Sequence, residues 1–324
     1  MSVNEQGNGD KPHVYDVVII GMGAAGVGVS VALTDAGIEN IMGLERYTVG
    51  ASFARWPAEM RFITPSFATN SVGMLDINSI AIGASPAFGL QVEHPTGIQY
   101  ASHLAAVVDA FELPVRQKID VNRIVPVDGL FRIETNVETF TAKHVIWAAG
   151  DFQYPTTTGF TGSELCRHIS SIPSYKSLQG DEFIVIGGDE SGIDAAYHLA
   201  KRGKRVRVFD QGCPWDLGTS DPSVALSTYT LERMRTEVFK EHVELFPNTP
   251  IDSVIASEAM YQVTDHNGER FESSTKPILA TGFKGSHTLV GDLFEKREDG
   301  FPLLNEHDES TLHPGLFLVG PAVR

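Results

Sequence analysis

Cysteine is scarce in this chain: Cys166 and Cys213 are the two among 324 residues. They stand far apart and form neither a disulfide framework nor a C-x-x-C pair, which excludes a local redox dithiol and fits a reducing compartment. Basic residues are also few, 25 Lys and Arg against 41 Asp and Glu, for a formal charge of −16. Such a surface repels phosphate backbones, so no nucleic-acid partner is expected. No apolar run approaches the length that crosses a bilayer, and no membrane partner is expected either. The opening residues MSVNEQGNGDKPH lack the apolar segment of a secretory signal. They read as a short disordered lead-in over 1–13, and the expected location is cytoplasmic. Short-period repeats and low-complexity tracts are missing, and no metal site is expected.

What is present has the balance of a soluble, enzyme-sized protein, with 42% hydrophobic residues and length enough for two domains. A long unit recurs. YDVVIIGMGAAGVGVSVALTDAG, from Tyr15 to Gly37, repeats in kind at DEFIVIGGDESGIDAAYHLAKRG, from Asp181 to Gly203. Each opens on a β-branched apolar strand, turns on glycines and continues with small and apolar residues at helical spacing. Two such nucleotide-binding units imply two nucleotides.

The first turn, Gly21-Met22-Gly23-Ala24-Ala25-Gly26, is a complete G-x-G-x-x-G. Its first glycine permits the tight turn, its second lets backbone approach a pyrophosphate, and its third lets helix and strand pack closely. Phosphate then meets the free N–H groups and positive dipole end of the helix. Glu45 ends the next apolar segment, IENIMGLE, where the fingerprint expects a ribose-binding acid about 20 residues on.

Taken with several ordered marks, these residues resemble the two-dinucleotide-domain flavoproteins, a superfamily that includes thioredoxin reductases, flavin-containing monooxygenases and the bacillithiol-disulfide-reductase type. The marks are GMGAAG, LERYTVGASFARWPAEMRFITPSF, KIDVNRIVPVDGLFRIET, HVIWAAGDFQYP, the second glycine turn, ILATGF and GLFLVGPAVR. The resemblance implies an α/β fold in which an FAD-binding Rossmann-like domain carries an inserted NAD(P)-binding Rossmann-like domain. The expected division is 14–155 and 276–324 for the FAD domain, with 156–275 as linker and NAD(P) domain. It implies FAD, with NADH or NADPH as the second nucleotide. Gly21, Gly23, Ala24, Ala25 and Gly26 would line the FAD pyrophosphate, with Glu45 on the ribose and Arg46 beside the adenine. Val121 matches the position whose backbone meets the adenine, and Ala149 and Gly150 the small-residue turn ending the first half of the domain. Ser52, Phe53 and Met60 fall where the family's chain passes the flavin. Gly282, in ILATGF, and Gly320, in the last turn, complete the set. Phe160-Thr161-Gly162, His168 and Tyr175 loosely resemble a monooxygenase linker signature; a histidine in a solvent-facing interdomain loop is the plainer reading.

The second turn, Gly187-Gly188-Asp189-Glu190-Ser191-Gly192, has an acid where the middle glycine belongs. Two readings stand. In one, Asp189 caps the helix and the nucleotide binds slightly displaced, held by Gly188, Glu190 and Ser191, with Gly187 making the turn. In the other, the site is degraded. The following strand, KRVRVFDQG, ends at Asp210, which would accept from a free ribose and leans toward NADH. Lys204, Arg205 and Arg207 blunt that argument, because a basic side chain could still hold a 2′-phosphate. An exposed loop acid is the plain alternative for Asp210.

The resemblance further implies an oxidoreductase that passes hydride from NAD(P)H to FAD and on to a small-molecule or protein acceptor, or to oxygen. Ala25 stands where the bacillithiol-disulfide-reductase type carries a cysteine, and Gly320-Pro321 stands where the family usually has Gly-Asp before a final helix. No side chain is required as acid or base. Such proteins are frequently dimers, so a homodimer is among the assemblies allowed. The other class to weigh is an FAD-binding sensor or scaffold whose second site is inactive; a flavin-free pyridine-nucleotide dehydrogenase is a third.

Overall fold

The computed structural model describes residues 13–67, 76–219, 224–258, 260–321 and 323. Nearly all of the expected lead-in, and Arg324, lie outside the described residues. The chain divides into two compact units. One comprises Met1–Val49, Val107–Gly150 and Ser286–Arg324, the other Gly50–Ala106 and Asp151–Gly285.

The first unit is built on a seven-stranded sheet. Strand β1 (Val14–Ile20) lies between β2 (Ile41–Glu45) and β6 (Thr139–Trp147), with β3 (Val115–Gln117) beyond β2 and β5 (Leu130–Thr135) and β4 (Val121–Val127) beyond β6. Pairing is parallel from β3 through β6 and antiparallel across β4, β5 and β6. Strand β6 divides the sheet: Thr139–Ala142 pairs with β5, whereas Val145–Trp147 pairs in parallel with β15 (Leu316–Leu318). Val17 to Ile20 form an unbroken buried run, as a strand covered on both faces requires. Helix α1 (Ala24–Asp35) follows, burying Gly26, Val27, Ser30 and Val31 on one face. It ends where Gly37 takes a left-handed φ of +81° and Ile38 N–H reaches back to the Leu33 carbonyl (3.0 Å).

The second unit repeats this plan. Its five-stranded sheet is parallel throughout, in the order β10 (Val243–Phe246), β9 (Arg205–Phe209), β8 (Glu182–Ile186), β14 (Ile278–Leu279) and β7 (Arg167–His168). Helix α5 (Glu190–Ala200) packs on it through Ile193, Ala195, Ala196 and Leu199. Its C-terminus copies that of α1: Gly203 has φ +70° and Lys204 N–H reaches the Leu199 carbonyl (3.2 Å). Strands β11 (Ile251–Ala256), β12 (Tyr261–Asp265) and β13 (Arg270–Ser273) form a separate antiparallel sheet. Short helices α2 (Ala51–Ala54) and α3 (Pro86–Leu90) belong to this unit, as do α6 (Thr228–Met234) and α7 (Glu237–His242); α4 (Gly97–Ala110) completes the helices named here.

The units divide after Gly150 and Gly285, near the expected boundaries after 155 and 275, but Gly50–Ala106 groups with the second unit. The cause is local. Glu59 accepts hydrogen bonds from Ser174 Oγ (2.8 Å), Tyr175 N–H (3.1 Å) and Arg202 Nη2 (3.1 Å), and Met60 packs against the core around Val185 and Ile193. Among the described residues, no helix is long and apolar enough to cross a membrane.

Candidate functional site

Strand β1 delivers the chain into the first glycine turn. Gly21 takes φ +97°, and a Cβ there would lie 2.6 Å from the Ala148 carbonyl oxygen. A Cβ on Gly26 would lie 1.9 Å from the Gly21 carbonyl oxygen, so the helix can approach the turn only without one. Gly23 is different: a Cβ there meets nothing within 4 Å. The space that only its missing side chain leaves open faces no protein atom. Gly23 is also the N-cap of α1 and supplies no capping side chain, and the first turn, with Ala24 and Ala25, holds no acid. An uncapped helix N-terminus beside open space is what a pyrophosphate requires.

Glu45 is buried at the end of β2, its Oε2 accepting the Met22 N–H (2.8 Å) and its Oε1 the Tyr47 N–H (2.9 Å). Each oxygen retains acceptor capacity for a ribose hydroxyl. Arg46 pairs with Asp120 (2.7 Å), and both line a pocket of about 380 Å³ with Val121, Trp147 and Leu293. Ala149 abuts Gly21, and Gly150 (φ +67°) accepts the Ser286 N–H (2.9 Å). From the far end of the chain, Gly320 (φ +91°) comes against Ala25, whose Cβ would be 3.3 Å from a Cβ on Gly320. Gly21, Gly23, Ala24, Ala25, Gly26, Glu45, Ala149 and Gly320 therefore form or contact one turn, Gly150 follows Ala149, and Arg46 and Val121 share the pocket at Asp120 and Trp147.

The second turn repeats the glycine and strand-end contacts of the first. Gly187 has φ +102°, and its Cβ would meet the Ala280 carbonyl oxygen at 2.3 Å; a Cβ on Gly192 would meet the Gly187 oxygen at 1.9 Å. Gly187 N–H reaches the Phe209 carbonyl (2.8 Å), as Gly21 N–H reaches that of Leu44 (2.8 Å). Gly188 N–H donates to Asp210 Oδ2 (2.6 Å), the counterpart of Met22 and Glu45. Asp210 is thus no loose loop acid, since its Oδ1 also accepts the Gly212 N–H (2.8 Å). Gly282 (φ +74°) follows Ala280 in the turn matching Ala149-Gly150, its carbonyl meeting the Thr156 N–H (2.9 Å) and His168 Nε2 (3.2 Å).

The turns differ at the helix N-terminus. Asp189 is the N-cap of α5 and its Oδ1 accepts the Glu190 N–H (2.9 Å). The Glu190 carboxylate bends away to Ser227 and Thr230 at the start of α6, accepting the Ser227 Oγ hydrogen bond at 3.2 Å. Glu190 and Asp189 line a pocket of about 790 Å³ with Trp215, Leu226 and Tyr229; Ser191 follows them on α5. Sequence reasoning missed the Trp215 ring, which lies directly on Gly188, where a Cβ would meet it at 2.1 Å. It missed too the buried pairing of Arg233 with Asp194, to which fully buried Tyr175 donates its hydroxyl (3.3 Å). An acid on the inner face of an apolar helix was the available signal.

Ser52 and Phe53 lie on α2 in the second unit, Phe53 within a ring cluster of Trp56, Phe62 and Tyr100 at centroid separations of 4.9 to 5.6 Å. Met60 faces the core of that unit. His168 is buried, its Nδ1 beside Ser170 Oγ (2.9 Å), and burial lowers its pKa below the ordinary histidine value. The plainer reading, a histidine in a solvent-facing interdomain loop, is corrected: His168 ends strand β7 and is buried in the parallel sheet. Burial pushes the Cys166 thiol up to about 12, which leaves it thiol and unreactive at neutral pH.

Comparison with known proteins agrees with this architecture. The model of the family described as pyridine nucleotide-disulphide oxidoreductase matches residues 18–320. Bacilliredoxin reductase Bdr of Bacillus subtilis is 24% identical over 309 residues, covering 94% of this chain and 88% of the relative. Among solved structures, bacillithiol disulfide reductase Bdr (YpdA) from Bacillus cereus superposes with a TM-score of 0.75 at 21% identity, covering 95% and 90% of the two chains. A flavin-containing monooxygenase from Stenotrophomonas maltophilia gives 0.74 at 18%, covering 94% and 89%. The fold is that of the two-dinucleotide-domain flavoproteins, and the chain belongs to the pyridine nucleotide-disulphide oxidoreductase family: it is an FAD-dependent NAD(P)H oxidoreductase.

Proposed function

We propose that the chain passes hydride from NAD(P)H to FAD and the electrons on to a small acceptor or oxygen, without a redox-active dithiol. The observation that carries this reading is the repetition in two units of one glycine turn with its strand-end acid. FAD, when bound, supplies the hydride acceptor and electron carrier. The protein's part is to hold and orient. Gly21, Gly23, Ala24, Ala25 and Gly26 present α1 to the FAD pyrophosphate, and the open space at Gly23 supports that assignment. Glu45 accepts from the ribose, with Arg46 and Val121 at the adenine. Ala149, Gly150 and Gly320 close round the turn, and Ser52, Phe53 and Met60 serve the flavin side. Gly187, Gly188, Ser191, Asp210 and Gly282 receive the pyridine nucleotide. Glu190 would contribute its N–H only if Asp189 released it, and its carboxylate already holds Ser227 and Thr230.

Neither cysteine carries the chemistry in this reading: Cys166 is buried with a raised pKa, and no second thiol lies beside Cys213 in sequence. A low-molecular-weight disulfide, the acceptor named for the Bacillus cereus enzyme, is the first small molecule to assay. Cytoplasmic location is the setting in which such an enzyme works. A second reading, an FAD-binding sensor with a silent second site, is favoured by one observation, the two acids crowding the N-terminus of α5. Mixing FAD-loaded protein with NADH and NADPH without oxygen separates the two. Loss of the oxidised flavin spectrum supports the oxidoreductase, and an unchanged spectrum with either nucleotide supports the sensor.

A further inference from the structure

The stretch KRVRVFDQG places three cations before or within β9 and one acid after it. A 2′-phosphate would need one of those cations; a free ribose would need the acid. The side chains are already committed. Lys204 Nζ pairs with Asp181 (2.8 Å), Arg205 pairs with Glu182, and Arg207 donates to the Glu272 carbonyl and lies over the Phe271 ring. Arg205 and Arg207 line a pocket with Lys240, Glu244 and Arg270, separate from the pocket at Asp189 and Trp215.

On the other side of the acid the sequence offers no replacement. From Gln211 to Glu232 there is no Lys or Arg. The next basic residue, Arg233, is buried, paired with Asp194 and donating to the Tyr229 hydroxyl (2.6 Å). The carboxylates Asp189, Glu190, Glu93 and Glu232 line the neighbouring pocket. Asp210 itself is held by two backbone N–H groups, Gly188 on Oδ2 (2.6 Å) and Gly212 on Oδ1 (2.8 Å), and each oxygen keeps a lone pair for a hydroxyl. Its position at the strand end copies that of Glu45 beside the first turn.

From these commitments we infer that the second turn selects NADH over NADPH, with Asp210 as the specificity-determining residue. It accepts the adenosine ribose hydroxyls and repels a 2′-phosphate, for which the cations before and within β9 and Arg233 are already paired elsewhere. This rests on the proposed pyridine-nucleotide role of the second turn, and the test keeps the two apart. Calorimetric titration of the FAD-loaded protein compares ADP-ribose with 2′-phospho-ADP-ribose, so the readout is binding alone. ADP-ribose should bind about 10- to 100-fold more tightly, the worth of hydrogen bonds to a charged group. Asp210→Asn should bring the ratio close to one. Gln211→Arg, which leaves the Asp210 hydrogen bonds intact, should narrow it by raising affinity for the phosphorylated ligand, so the inference survives a poorly folding Asp210 variant. Equal or tighter binding of 2′-phospho-ADP-ribose by the unaltered protein overturns the selectivity while leaving the nucleotide site standing. Failure of both ligands to bind overturns the nucleotide site itself, and the selectivity with it.

Discussion

Gly23 and Gly26 make opposite demands although three positions apart in one motif. A methyl at Gly26 would sit 1.9 Å from the Gly21 carbonyl oxygen, whereas one at Gly23 would meet no atom within 4 Å. Gly26→Ala is therefore expected to destabilise the first unit by at least about 2 kcal/mol, measured by denaturant unfolding. Gly23→Ala should leave stability within about 1 kcal/mol, because its φ of −82° suits alanine. Its FAD affinity should nevertheless fall at least about tenfold, since the methyl occupies the space assigned to pyrophosphate. Equal FAD affinity in Gly23→Ala and the parent would remove the phosphate from that turn. Glu59 makes a pH prediction. Burial raises its pKa, but hydrogen bonds from Ser174, Tyr175 and Lys176 outweigh that and hold it below the ordinary glutamate value of 4.5. A carboxyl lowered by folding stabilises fully above its unfolded pKa and loses that contribution as pH falls through the folded value. Glu59→Gln should therefore cost about 1–3 kcal/mol at neutral pH. Thermal unfolding should show the gap narrowing below about pH 4.5, and a gap that widens there would contradict this sign.

At the scale of elements, α1 and α5 are the same device with different caps. Gly23 offers no side chain to α1, while Asp189 ties down the Glu190 N–H of α5. Asp189→Gly is expected to loosen α5 by a few tenths of a kcal/mol and Asp189→Ala by about 1 kcal/mol, seen in unfolding or hydrogen exchange. The glycine variant should also bind pyridine nucleotide more tightly, since a charge leaves the helix N-terminus. Unchanged affinity would mean that the nucleotide does not touch that residue. Both βα units were legible because their signals are local: a β-branched run, glycines at fixed offsets and small residues at helical spacing. The cap at Asp189 was legible for the same reason. The direction of the Glu190 carboxylate was not, because Ser227 and Thr230, its partners, lie far along the chain. Trp215 on Gly188 and Arg233 on Asp194 escaped for that reason too.

For the molecule as a whole, the order of the marks along the chain pointed to the fold before any coordinate did, and family and structural similarity agree. The affiliation of Gly50–Ala106 was less legible, because it depends on Glu59 and Met60 meeting groups more than a hundred positions away. Gly320 beside Ala25 is a comparable long-range closure, which the resemblance supplied and no local pattern could. On the proposed reading without a dithiol, Cys166→Ser combined with Cys213→Ser should leave steady-state NAD(P)H oxidation within about twofold of the parent, where loss of turnover would return a thiol to the mechanism. The most direct measurement is a titration of purified, FAD-loaded protein with NADH in the absence of oxygen, followed through the flavin's visible absorbance. The yellow colour should bleach and return when air is admitted. A protein that holds FAD but keeps its spectrum unchanged with both NADH and NADPH would contradict hydride transfer between two bound nucleotides.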